Sequence, residues 1–141
     1  MPAYDSTGNN NSNTAVKSYK DLDLDFGRNV VTNDVNKLTD AEAVKRSVRN
    51  LIQTNHFERP FHPELGGNVR ALLFEPANFI TAMNLEKKIA EILINFEPRA
   101  QLIQIRATAN EEQNSFFVSI NFKILGIPGA ITVETMLERL R

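Results

Sequence analysis

The chain contains no cysteine, so neither disulfides nor thiolate metal sites can form. Nothing therefore marks an oxidising compartment. Tryptophan is missing too, and the two tyrosines, Tyr4 and Tyr19, stand near the start. Sugar rings commonly stack on such side chains, so a saccharide cleft would be poorly equipped. Charge of one sign is not in excess: 16 Lys and Arg stand against 17 Asp and Glu, and no global field steers the chain to nucleic acid or anionic lipid. No basic-then-apolar region opens the chain, and no apolar run approaches the roughly 20 residues that span a bilayer. On these grounds the chain reads as a soluble intracellular product. There is also no Gly-rich phosphate loop, no paired-histidine metal helix and no serine nucleophile elbow.

What remains is a length of 141 residues, which suits one compact domain able to bury its own core. Residues 1–18, rich in Asn, Ser, Thr and Gly, show no hydrophobic period and read as a flexible tail. From Tyr19 to Phe26 the pattern alternates, with Leu22, Leu24 and Phe26 opposite Asp21, Asp23 and Asp25, which predicts a half-buried strand. The three aspartates do not make a calcium loop, since Gly27 and Thr32 fall where that loop needs other residues. They read as a solvated edge that discourages unwanted pairing.

Thr39 and Glu42 are spaced as a capping box, followed by Val44, Val48, Leu51 and Ile52 at helical intervals. This predicts a helix over 40–54, with Lys45, Arg46 and Arg49 off its apolar stripe. Residues 55–67 hold two prolines and two glycines and read as a loop. A short helix is expected over 68–75 and a longer one over 78–96, ended by Pro98. Ile103, Ile105 and Ala107, then Phe116, Val118, Ile120, Phe122 and Ile124, alternate as the two strands of a hairpin. The segment 131–140 fits strand or helix, and strand is preferred because the adjoining sheet edge offers it a partner. The fold class is α+β: a small mixed or antiparallel sheet, built from the N-terminal strand, the C-terminal hairpin and the last strand, packed with two main helices and one short one.

Few residues point to chemistry. His56 and His62 lie six apart on irregular backbone, which sets no metal geometry, so no metal and no cofactor are expected. Glu97-Pro98-Arg99 places opposite charges around a rigid proline where helix gives way to sheet. It reads either as a junction, with the charges paired to each other or the loop, or as an interface, since the planar fork of arginine suits a partner's carboxylate or carbonyls.

Five blocks carry a resemblance: residues 39–51, Glu58-Arg-Pro-Phe61, Pro63-Glu-Leu-Gly66, Leu72-Leu-Phe-Glu75 and Glu97-Pro-Arg99. In that order and spacing the chain, over residues 19–141, resembles the baseplate wedge (sheath initiator) family of contractile-tailed phages. That family includes the matching component of type VI secretion systems and contractile toxin particles. The resemblance implies a structural protein of the virion tail baseplate, assembled in the host cytoplasm. Its implied partners are the helical core bundle of other wedge proteins and the tail sheath subunit, with no nucleic acid, membrane or small-molecule ligand. Glu97, Pro98 and Arg99 match the family's Glu-Pro-Arg motif and would face the bundle, while Arg59, Pro60, Phe61 and Gly66 match its loop and would brace the same region. The sheet would extend a neighbour by strand addition, through the C-terminal strand or the Leu22–Phe26 strand. Because the family is often called lysozyme-like, a muralytic glycoside hydrolase is the rival reading, with Glu58, Glu64, Glu75 and Glu97 as candidate acids. Arg99 beside Glu97 would lower the pKa that a general acid needs raised.

Overall fold

A computed structural model describes residues 18–138. Apart from Ser18, the segment read as a tail lies outside these residues, as do residues 139–141. Strand β1 (Lys20–Leu22) pairs antiparallel with β2 (Lys37–Thr39) in a ribbon of its own, and helix α1 (Asp40–Gln53) follows directly. Then come α2 (Val69–Leu72), α3 (Phe79–Phe96) and three long strands, β3 (Ala100–Asn110), β4 (Ser115–Ile124) and β5 (Ala130–Glu138). The long strands form an antiparallel sheet in the order β3-β4-β5, so the fold is α+β with two sheets rather than one.

The periodicities explain the core. Helix α1 buries Val44, Val48, Leu51 and Ile52, and α3 buries Leu85, Ile89, Ile92 and Leu93. Every second residue of β4, from Phe116 to Ile124, meets them from the sheet and is buried. Each such side chain contributes roughly 1.5–3 kcal/mol of hydrophobic free energy. The ambiguous last segment is a strand because β4 supplies its hydrogen-bond partners: Val133 lies opposite Ile120 and Leu137 opposite Phe116.

Several local expectations shift. The strand predicted over 19–26 ends at Leu22, because Asp23 turns the chain: its side chain accepts from the N–H of Asp25 and its carbonyl from the N–H of Phe26. Leu22, Leu24 and Phe26 are consequently all exposed. A bulge between Leu102 and Gln104 drops Ile103 from the core face, while Ile105 and Ala107 stay on it. The short helix keeps only Val69–Leu72, continuing through Glu75 as tighter turns that bond three residues back.

The capping box is not formed. Thr39 makes no side-chain cap, and Glu42 pairs with Lys45 at 2.8 Å. The ribbon takes its place: the Asp40 N–H donates to the Tyr19 carbonyl at 2.7 Å, and the Asp40 carboxylate accepts from the Tyr19 N–H. Asn78 does cap α3, accepting from the Thr81 N–H at 2.8 Å. Asn78→Ala is therefore expected to cost about 1 kcal/mol, and Thr39→Ala only a few tenths, as compared by urea denaturation.

Candidate interaction site

Helix α3 ends where Pro98 withdraws an N–H and disfavours helical geometry at Glu97, whose own N–H makes the last helical bond, to Leu93. A turn closed from the Ala100 N–H to the Glu97 carbonyl then launches β3. The two charges flanking the proline are thereby set on adjoining elements and aimed at each other.

The Arg99 fork grips the Glu97 carboxylate with both arms, Nε to Oε1 at 2.6 Å and Nη2 to Oε2 at 2.8 Å. The Ser47 hydroxyl on α1 donates to Oε2 from the other side. Glu97 is only 2% exposed, so the pair is not one of the weakly contributing surface pairs. Arg99 also reaches Asp21 on β1 at 3.5 Å and lies 5.6 Å from the centre of the Tyr19 ring. The Tyr19 hydroxyl donates to the Leu125 carbonyl, just past β4. One arginine thus ties α3, the sheet and the N-terminal ribbon, while a second fork, Arg46 on Asp25, fastens the ribbon to α1.

Burial pushes the Glu97 carboxyl up, but the Arg99 fork and the Ser47 hydroxyl outweigh it and hold the group below its ordinary 4.5. Its partner Arg99 is raised in turn by the Glu97 carboxylate. A carboxylate depressed on folding adds stability that is complete above its unfolded pKa and is lost as pH falls through the folded value. Below about pH 4.5 the protein is accordingly expected to lose stability more steeply than its Glu97→Gln variant, as read by circular dichroism across an acid titration.

Around this network lies a cleft of about 440 Å³. It brings together four of the residues singled out in the sequence, Glu97, Pro98, Arg99 and Arg59, with Leu22, Leu24 and Phe96 among its apolar walls. Pro60 and Phe61 follow Arg59 on the exposed loop, with Phe61 92% exposed, but they do not line the cleft. Gly66 is elsewhere again: it is buried against the end of α1 at φ +109°, where an added Cβ would strike the Thr54 carbonyl. Ser47, Tyr19 and Asp21 were missed. Ser47 left a signal, a lone hydroxyl beside Val44, Val48 and Leu51 on an apolar stripe, which asks for a buried acceptor.

The rival acids are arranged differently. Glu58 is held down by hydrogen bonds from the Asn55 backbone and side chain, and Glu64 by its own backbone N–H and by His62. With Glu97, three of the four candidates are shifted away from what a general acid needs. The fourth, Glu75, is approached by the Thr81 hydroxyl at 3.5 Å.

Comparison with known proteins draws these features together. The chain is 28% identical over 119 residues to the baseplate wedge protein gp25 of Enterobacteria phage T4, covering 82% of this chain and 86% of that one. In fold it is similar to a Geobacter sulfurreducens protein described as a putative tail lysozyme (TM-score 0.66, 23% identity, 74% of this chain and 96% of that one). It is also similar to a chain of the anti-feeding prophage baseplate (TM-score 0.61, 18% identity, 88% of both chains). A chain of the type VI secretion baseplate complex aligns with a TM-score of 0.51 at 14% identity, over 67% of this chain and 88% of that one. Residues 38–128 match the family described as baseplate wedge protein gp25, and since they make up more than half of the chain, the protein belongs to that family.

Proposed function

We propose that the protein is a structural part of the baseplate wedge at the virion tail, that it docks on the helical core bundle through the Arg59–Pro98 cleft, and that it starts the sheath by accepting a strand along β5. Its family membership supports the baseplate role and location. The observation that carries strand addition is the inequality of the two sheet edges. At β3 the N–H of Ala107 is taken by the Glu86 carboxylate of α3, at 2.7 Å. Among the described residues, strand β5 pairs only with β4, and no strand is bonded along its other edge. Such an edge gives affinity through main-chain bonds and specificity through alternate side chains. The Leu22–Phe26 segment is a weaker candidate, since only Lys20–Leu22 is strand.

Docking concerns the groups that the internal network leaves over: the exposed face of Pro98, the loop residue Arg59 and the outer part of Arg99. Arg99→Ala is a poor test because it also breaks the Glu97 pair. Arg59→Glu changes the cleft from the loop and leaves Glu97, Pro98 and Arg99 in place. Negative-stain electron microscopy of particles made with Arg59→Glu, or without the protein, should show naked tubes or missing baseplates. Complete sheathed tails would refute the proposal.

The fold shared with that Geobacter sulfurreducens protein keeps hydrolysis as the second reading. Glu75→Gln is expected to leave assembled particles fully infectious. Intact particles that penetrate the wall slowly would favour the hydrolase.

A further inference from the structure

We propose that the strand received by β5 alternates apolar and basic residues, with its basic face turned away from the core. This rests on reading β5 as the open edge, and adds the chemistry of what binds there. The register puts Ile131, Val133 and Leu137 on the core side, opposite Phe122, Ile120 and Phe116. Thr132, Glu134, Met136 and Glu138 fall on the outer side. Where the end of β5 meets the helices lies a groove of about 560 Å³ whose apolar walls include Ile52, Val69, Leu73 and Leu137, with Met136 and Glu138 at its strand rim. A strand added to β5 would turn every second side chain to the core side, and near Leu137 into this groove, where apolar residues remove the most surface from water.

The outer side has the opposite character. Strand β5 has two acidic residues, Glu134 and Glu138, and no basic one. Among the described residues, neither glutamate makes an ion pair. A cross-strand Lys or Arg would complement them, whereas like charges directly opposite are destabilising. The same acidic face argues against a second copy as occupant, since β5 pairing with β5 would set glutamates of the two chains on one shared face.

The test uses the whole protein and two nine-residue peptides, one alternating Val and Lys and the other Val and Glu. Affinity is read by fluorescence anisotropy, and the site by hydrogen exchange of the β5 amides. The Val–Lys peptide is expected to bind about five- to tenfold more tightly, as two cross-strand charge pairs would give. It should protect the β5 amides and lose its advantage as salt rises. Glu134→Lys with Glu138→Lys should reverse the preference. Equal binding of both peptides, with the β5 amides protected, would sink the charge pattern and leave strand addition standing. No protection of β5 by either peptide would sink both. Concentration-dependent protection of β5 without peptide would mean that a second copy is the occupant, and would overturn the proposal.

Discussion

Arg99→Ala is expected to lower the stability of the isolated protein by about 3–5 kcal/mol, because it leaves the Glu97 carboxylate buried without its counter-charge. The Ser47 hydroxyl would remain, but one neutral donor does not replace a bidentate guanidinium. The ribbon should loosen as well, since Arg99 also meets Asp21 and the Tyr19 ring. Urea denaturation of the variant, with hydrogen exchange at Lys20–Leu22, measures both effects. Replacing Glu97 and Arg99 together with leucines should recover much of the loss, as removing both members of a buried pair usually costs less than removing one. If the single variant were as stable as the parent, Glu97 could not be buried as described. The motif is thus a clasp inside the fold before it is a surface, and an assembly defect in Arg99→Ala would not by itself reveal a contact.

Gly66→Ala should cost on the order of 3 kcal/mol. Its φ of +109° is one that L side chains rarely adopt, and a methyl group would meet the Thr54 backbone. The neighbouring Gly67 N–H bonds to the Thr54 carbonyl, so relieving the clash would shift the join between the loop and the end of α1. Gly67→Ala should be similarly damaging, because its added methyl would overlap the Ile92 side chain. Thermal melts of both variants check this. An unchanged Tm for Gly66→Ala would mean that the loop can take another path. The damage should appear in the purified protein, away from any partner, which separates the packing role of Gly66 from the docking proposed for Arg59.

Much of this was legible along the chain because it depends on neighbours in sequence. Repeats of 3.6 on α1 and α3 and of two on β4 named the buried residues, since a helix or strand shows one face to the core whatever lies opposite. Pro98 marked the end of α3 for an equally local reason. The failures were competitions between local signals and distant partners. Thr39 and Glu42 have the spacing of a capping box, yet the ribbon from Tyr19 claims that helix end. Alternation ran through Phe26, yet Asp23 bonded to its own backbone and turned the chain.

The site divides the same way. By itself the sequence determined that an acid and a base flank a proline between helix and sheet, because that is a fact of order along the chain. Only the tertiary structure decided that Ser47, 50 residues earlier, and Asp21, 78 residues earlier, complete the network, and that Arg59 shares its cleft. Only the tertiary structure set Glu86 of α3 on the Ala107 N–H of the β3 edge, since the strand pattern reads alike with or without that contact. Periodicity records which face is buried; what covers an edge depends on how separate elements pack, which no local pattern encodes.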